Sequence, residues 1–466
     1  MKPIPQVPGK LPVLGHALPL LRDPLAFLSS LPACGDLVRI KLGPVVAVVV
    51  CDPELTRQVL LDDRTFNLGG PLFDRVQEAV GNSMTKSTDQ HLQRRRLVQP
   101  AFSQARLPGY ARQMTTHLEE LTGSWRDGQT LDIMAEMHAL TTKSALAAMF
   151  SQALSPDALQ EASEDLATIF AGFYRRAVTP PWLSRVPTPG NARYHRAIAR
   201  LRGTVIAITA ERRDGGADHG DLLSALLATR DSPLPAVAGS DGQGLTDGEI
   251  SDVVMAFFIA GVQTTANLLA WALHLVATHP HMQARLSTEV DAVLEGAPAS
   301  FEHMSGLRLT GRVITETLRL YPPGWLLTRT VSTTTSLGEY PIPAGTALFY
   351  SPYIIHHRDD LYPEPEQFDP DRWDRTPQPP RHAFIAFGHG PRKCIGDTFG
   401  LTEATLALAG ILSRWHLEPV PGERVRPAIA FALRPKRLHL RATARTHRQE
   451  QVLADHAIGE DGRNDT

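Results

Sequence analysis

Ten residues near the C-terminus, Phe387-Gly388-His389-Gly390-Pro391-Arg392-Lys393-Cys394-Ile395-Gly396, follow the pattern F-x-x-G-x-R-x-C-x-G. Such a segment is suited to presenting one thiolate to a metal. Only the thiolate ligates a metal, and an unperturbed thiol has a pKa of about 8.5, so Cys394 needs help to stay deprotonated. Gly390 and Gly396 permit tight turns that bring amide N–H groups toward the sulfur. The apolar period of Phe399, Leu401, Leu406, Leu408 and Ile411 predicts a helix beginning just after Cys394, with its positive end near the sulfur. A buried structural thiol is the ordinary role of a lone cysteine, and five matched positions at fixed spacing argue against it here.

Three further groupings carry chemistry. Glu316 and Arg319 stand at i and i+3 in Glu316-Thr317-Leu318-Arg319, close enough to pair on one helix face, although a solvated surface pair has the same spacing. His91 and Arg95 share a face at i and i+4, which is equally the pattern of a solvated basic patch. Phe257, Ala260, Gly261 and Thr264 recur at i, i+3, i+4 and i+7, forming one stripe turned toward a common object. Its small residues let a flat ligand approach the backbone. The Thr264 hydroxyl either serves that ligand or bonds back to a carbonyl of its own helix.

The elements that must hold these groups are mostly helical. Residues 1–34 are proline-rich and read as an extended arm, with a short helix around Leu25 to Leu31. Leu37 to Lys41 and Val45 to Val50 flank Gly43-Pro44 as a hairpin. Helical patterns dominate from about Pro53 to Arg230, and Ser232 to Gly244 is a loop. Thr246-Asp247-Gly248-Glu249 has the form of a capping box, after which apolar periodicity continues to Thr278, just before Pro280. That predicts one helix of roughly thirty residues, apolar nearly all round and therefore buried. A shorter helix ends at Tyr321-Pro322-Pro323. Strand-like runs follow at Leu326 to Val331 and Thr346 to Tyr350, and Ile429 to Leu433 with Arg437 to Arg441 read as a last hairpin. From about Thr446 the chain is polar, lacks periodicity and reads as a disordered tail.

The 466 residues are 42% hydrophobic and 21% charged, which suits a globular protein with a large core. A formal net charge of −2 gives no general reason to expect nucleic-acid binding. Three cysteines, Cys34, Cys51 and Cys394, fit a reducing cytoplasm with one specialised thiol better than a disulfide framework. The first residues show neither a signal-peptide pattern nor a long apolar span, so no transmembrane anchor is expected. Neither H-E-x-x-H nor G-x-S-x-G is found, which leaves a hydrolase reading with little support.

The cysteine segment, the E-x-x-R helix and the Ala260-Gly261-Val262-Gln263-Thr264-Thr265 run resemble those of the cytochrome P-450 family, the haem–thiolate monooxygenases. The resemblance extends from about Pro8 to Arg441. It implies a single domain, residues 1–445, mainly α with small β-sheets and a long central helix over haem b, with Cys394 as axial ligand. It implies that Glu316, Arg319 and Arg372, the last from Phe368-Asp369-Pro370-Asp371-Arg372-Trp373, form a buried triad. It assigns the haem propionates to His91, Arg95, Arg329 and Arg392, and gives Phe387 and Gly390 to the haem-binding loop. By the same resemblance Thr264 and its predecessor serve oxygen activation. The family usually has an acid before that threonine; here stands Gln263, an amide that can orient water but cannot release a proton as an acid does. The pocket would be walled by Leu72, Phe73, Phe173, Phe257, Phe258, Ala260, Gly261, Trp325, Leu326, Leu327 and Phe431, nearly all apolar. The implied reaction takes O2 and two electrons from a separate ferredoxin or flavodoxin with its reductase, since no flavin or nicotinamide domain is evident. Arg94, Lys393 and Arg414 are candidate docking charges. The substrate would be an apolar small molecule, and the wording of the N-terminus and of residues 325–331 resembles bacterial enzymes that oxidise sesquiterpenes in natural-product pathways. Alternatives are a peroxide-using or redox-neutral haem–thiolate enzyme, or a non-catalytic haem sensor.

Overall fold

In a computed structural model the described residues are 2–70, 73, 77, 80–81, 88–151, 154–178, 186–215, 218–228, 245–375, 379–429 and 432–445. The predicted loop at 232–244 and the polar tail at 446–466 lie outside them, as do Leu72 and Phe431.

Ten helices frame the site: α1 (Pro53–Leu61), α2 (Thr88–Val98), α3 (Leu107–Ser124), α4 (Ile133–Phe150), α5 (Pro156–Val178), α6 (Pro189–Gly215), α7 (Asp247–Thr278), α8 (Pro280–Leu294), α9 (Arg308–Leu320) and α10 (Asp397–Arg414). The 32-residue α7 is the axis of the molecule. The Thr246 hydroxyl accepts from Glu249 N–H at 3.3 Å, and the Glu249 carboxylate accepts from Thr246 N–H at 3.0 Å, so two orphan donors at its start are satisfied. At its far end Pro280 opens α8, as a residue without an N–H can do at a first helical position. α7 packs against α4, α6, α9 and α10, which buries it on most sides. It is long and apolar enough to cross a membrane, yet 67% of its most apolar window lies inside the protein, as expected of a core helix.

Strands β1 (Leu37–Leu42), β2 (Val45–Val50), β3 (Phe66–Leu68), β5 (Leu327–Val331) and β8 (Ala347–Tyr350) form a sheet in the order β1-β2-β8-β5-β3. Only β2 and β8 run parallel. β4 (Gln129–Asp132), β12 (His439–Ala444) and β9 (Trp415–Pro419) form a second sheet, and β6 (Thr335–Leu337) pairs with β7 (Tyr340–Ile342).

The last hairpin differs from expectation. β10 (Pro427–Ile429) pairs with β11 (Leu433–Pro435), whereas residues 437–441 lead into β12, between β4 and β9. The alternation Leu438, Leu440, Ala442 explains this, because it turns one face of β12 into the core beneath α7 and α10. β4 is also new: only Leu131 of its four residues is buried, too little for a period to show inside a stretch read as helical.

Candidate functional site

The cysteine loop is built backbone first. Gly390 has φ +69°, and a Cβ there would collide with Leu60 O of α1, so only glycine fits. The turn it allows is closed by Lys393 N–H on Gly390 O at 3.1 Å and Cys394 N–H on Phe387 O at 2.8 Å. Phe387 packs against the core cluster shared by α7 and α10. From the other side α2 grips the loop: His91 Nε2 lies 3.2 Å from Pro391 O, and Arg95 donates to Lys393 O at 2.5 Å. The i, i+4 pair thus faces the loop rather than solvent. Burial, with Arg392 beside it, lowers the His91 pKa to about 4, so the ring is a neutral donor.

Cys394 is open to solvent by surface area, yet it lies deep enough among protein atoms for burial to raise its pKa. The Gly396 N–H opposes the shift, while Asp397, in the first turn of α10, reinforces it. Without a metal, burial and Asp397 outweigh the help that the loop amides give the sulfur. Metal coordination is what deprotonates such a thiol.

The stripe on α7 is the accessible face of an otherwise buried helix. Ala260 is exposed although Ile259 and Val262 on either side are buried, and Phe257, Gly261 and Thr264 are half-buried. The Thr264 hydroxyl donates to Ala260 O at 2.6 Å, so the bond within its own helix is formed, and its lone pairs remain to accept a proton donor. Phe258, one residue from Phe257 and so about 100° round the helix, is fully buried and packs on Phe150 at 5.8 Å between ring centroids. It belongs to the core and not to the accessible stripe.

Other predicted wall residues are dispersed. Trp325 and Leu326 pack with Phe27, Phe349 and Leu433, whereas Leu327 joins the cluster on the other face of the sheet. Phe73 is buried. Leu72 and Phe431 lie outside the described residues, and the side chain of Phe173, on α5, likewise.

The acid of the triad is saturated. Glu316 accepts from Arg319 at 2.9 and 2.8 Å, Arg372 at 2.9 Å, Trp373 Nε1 at 3.0 Å and Asp369 N–H at 3.1 Å. Arg319 spends its remaining donors on the carbonyls of His356, Pro365 and Gln367. Glu316 and Arg319 have no accessible surface, and Arg372 retains 8%.

Several residues were missed by sequence reasoning. His356 is fully buried; its Nε2 accepts from Ile385 N–H at 3.0 Å and its Nδ1 faces Arg319 O at 3.2 Å, tying the triad to the strand of chain entering the cysteine loop. Asp63 receives Arg392 Nε at 2.8 Å. Glu403, on α10, is buried and its pKa is pushed up to about 8 by desolvation, so it is a neutral acid at pH 7. On α7, Gln263 Oε1, both polar atoms of Asn267, Trp271 Nε1 and His274 Nδ1 lack hydrogen-bond partners among the described residues, and they recur along one face. Asn267 inside an apolar run was the one sequence signal of that row.

The residues present fit a haem. Arg329 is 97% buried by its 3% exposure, and its Nε has no hydrogen-bond partner among the described residues, a cation arranged for an anion that must be supplied. His91, Arg95 and Arg392 surround the same loop, and the uncovered stripe with Ala260 at its centre suits a flat apolar surface. The three candidate docking cations are each paired internally: Arg94 with Glu249, Lys393 with Asp397 and Arg414 with Glu119.

A mainly helical fold around one loop cysteine, beneath a long helix with a small-residue face, defines a haem–thiolate protein. The chain belongs to the cytochrome P450 family, whose sequence model matches residues 5–441. It is 45% identical, over 89% of its length and 90% of the relative's, to cyclooctat-9-en-7-ol 5-monooxygenase of Streptomyces melanosporofaciens. It is 42% identical to pentalenene oxygenase of Streptomyces avermitilis, over 94% and 97% of the two chains. The crystal structure of the cytochrome P450DA heme domain superposes with a TM-score of 0.83 at 28% identity, covering 96% of this chain and 98% of that one. The cofactor is haem held by a cysteine thiolate.

Proposed function

We propose that this protein is a haem–thiolate monooxygenase that hydroxylates or further oxidises a compact apolar terpenoid, with residues 1–445 acting as one domain in the cytoplasm. The observation that carries the reading is the accessible Phe257–Thr264 face of α7, apolar but for one hydroxyl, in a chain that also presents a free, solvent-accessible cysteine on its glycine-turned loop. The names of the two Streptomyces relatives support a terpenoid substrate.

When bound, haem supplies the activation of O2 and the oxidation of an unactivated C–H bond or alkene. Cys394 would ligate its iron through the thiolate, and Arg329, with His91, Arg95 and Arg392, would hold its propionates. The chain's own residues do the rest. Ala260 and Gly261 keep the face of α7 flat so that a substrate lies close to it. Phe257, fixed edge-on against Phe399 at 5.6 Å, offers an apolar ring and no charge. A hydrocarbon burying about 300 Å² would gain about 7 kcal/mol gross at about 25 cal/mol/Å². Thr264 Oγ1 holds its proton on Ala260 O, which leaves its lone pairs free to accept a hydrogen bond. Gln263, 7% exposed, orients but does not ionise. Electrons come from a separate ferredoxin or flavodoxin and its reductase, with Arg94, Lys393 and Arg414, each ion-paired within the chain, as the candidate docking charges.

Gln263 in place of an acid is the observation favouring a second reading, in which peroxide replaces O2 and reductase. The deciding experiment is the spectrum of the reduced, carbon-monoxide-bound protein, followed by titration with terpene hydrocarbons and turnover with either reductase or peroxide. The proposal expects a thiolate-type Soret band, a substrate-induced spin change and reductase-dependent product. Turnover by peroxide alone would establish the second reading; a spectrum insensitive to every apolar ligand would leave a haem sensor.

A further inference from the structure

Eight large hydrophobic side chains are exposed among the described residues, and five of them lie on the N-terminal turn, the short helix that follows it and the hairpin it is pinned to: Leu11, Val13, Leu14, Leu21 and Val46. The architecture beneath them is firm. Leu11 and Gly15 exchange backbone hydrogen bonds at 3.0 and 2.9 Å, closing a tight turn around Val13 and Leu14. Gly15, at φ +63°, is obligatory, because a Cβ there would collide with Lys41 O. The turn is pinned to the β1–β2 hairpin by His16 N–H on Lys41 O at 2.6 Å and Gly43 N–H on Leu14 O at 3.1 Å. The buried His16 ring bridges Val7 O and Lys41 N–H, both at 3.0 Å. Val13 is 83% exposed and sits at φ +62°, a conformation a β-branched residue rarely adopts. The helix Ala17–Arg22 begins directly after this turn and carries Leu21, 72% exposed, within about 9 Å of axial rise. Val46 stands opposite Lys41 in the hairpin, on the face that also bears Arg39.

Cations rim the apolar patch. Lys10, Arg22 and Arg39 are exposed and Lys41 half-buried, and no acidic residue occurs before Asp23. Asp23 caps the following helix through Ala26 N–H, and Asp36 lies at the opposite end of β1 from the hairpin turn. Lys2 is committed to Glu339. Aliphatic side chains projecting from a convex turn, ringed by Lys and Arg, have the composition of a surface that lies at a lipid boundary.

We propose that this N-terminal turn and the β1–β2 hairpin dock on an anionic lipid bilayer. The turn seats its exposed aliphatic side chains at the acyl boundary while Lys10, Arg22, Arg39 and Lys41 meet anionic headgroups. A second copy of the chain fits less well, since a two-fold contact would set these cations against themselves. A protein partner fits less well too, because protein contact centres favour aromatic side chains in concave pockets. The inner side of the same arm packs, through Phe27 and Leu28, in the cluster that holds Trp325 and Leu326, so the docked surface backs onto a candidate pocket wall. The inference rests on the surface alone and stands whatever the substrate is.

The test is flotation of the full-length, haem-loaded protein with vesicles. Phosphatidylglycerol–phosphatidylcholine vesicles are expected to carry it upward at low salt, phosphatidylcholine alone much less, and high salt to release it. The triple variant V13S/L14S/L21S is expected to lose at least about tenfold in vesicle affinity. K10Q/K41Q should lose about fivefold per cation on anionic vesicles only. Both variants should keep the carbon-monoxide spectrum and thermal midpoint of the parent, since none of the side chains changed is buried. The proposal is overturned if the parent protein stays at the bottom with anionic vesicles, or if the triple serine variant floats equally well. It is also overturned if the patch instead drives a dimer, seen by gel filtration and abolished by the serines without any flotation.

Discussion

Gln263 stands where an acid would be more useful, and its surroundings say what an acid would do there. The side chain is 7% exposed and its carbonyl oxygen has no partner among the described residues. A carboxyl in such a place has its pKa raised by desolvation, so Gln263→Glu would hold a proton near neutral pH beside Thr264. The variant is expected to raise product formed per reductant consumed by severalfold. Unchanged coupling would instead point to the buried polar row of Asn267, Trp271 and His274, or to Glu403, as the existing route for protons. Cys394→Ala is the companion prediction: purified protein should lose its Soret band, because the other cysteines, Cys34 and Cys51, lie on the N-terminal arm and at the end of β2 and not in the loop gripped by α2. Haem retained with an unaltered spectrum would remove the thiolate assignment altogether.

At the scale of elements, the ion cluster on α9 is what positions the cysteine loop. Glu316 accepts five hydrogen bonds from four residues, and Arg319 reaches the His356 carbonyl. The His356 ring in turn receives Ile385 N–H, a few residues before Phe387. Removing the acid strands two buried guanidinium groups, a change that typically costs about 3–5 kcal/mol. Glu316→Ala should therefore yield little soluble, haem-loaded protein. Normal haem content and an unchanged melting temperature would mean that the cluster does not support the loop. Much of this was readable beforehand, for reasons that differ from element to element. α7 announced itself because its capping box, its apolar period and Pro280 are all local signals. The cysteine loop was legible because its glycine and cysteine spacing serves backbone geometry that few residues satisfy. His356 and Asp63 were not legible, since each acts through a partner tens or hundreds of residues away. The β12 pairing was misread because a short alternating strand carries no record of which neighbours it joins.

For the molecule as a whole, its buried titratable groups set the pH range in which it holds together. Burial lowers the pKa values of His138, His274 and His357 to about 4 and that of His356 to about 3. An unfolded histidine titrates near about 6.5, so each of these contributes stability that is complete above that value and is lost as pH falls toward about 4. Glu403 has the opposite sign. Its folded pKa is raised to about 8 from an unfolded value of about 4.3, so the protonated form is favoured in the fold, and stability is lost as pH climbs between the two. Between about pH 4.5 and 6.5 four histidines outweigh one carboxyl; above that window only Glu403 still titrates among these five. The thermal midpoint of the haem-loaded protein is therefore expected to rise steeply from pH 4.5, peak near neutrality and decline gently to about pH 8. Glu403→Gln keeps an uncharged side chain of the same shape, and should flatten the alkaline limb while leaving the acid limb in place. Melting curves of parent and variant between pH 4 and 9 decide the matter: an alkaline decline of equal size in both would show that Glu403 is ionised in the folded protein at neutral pH and that its burial is better compensated than its surroundings indicate.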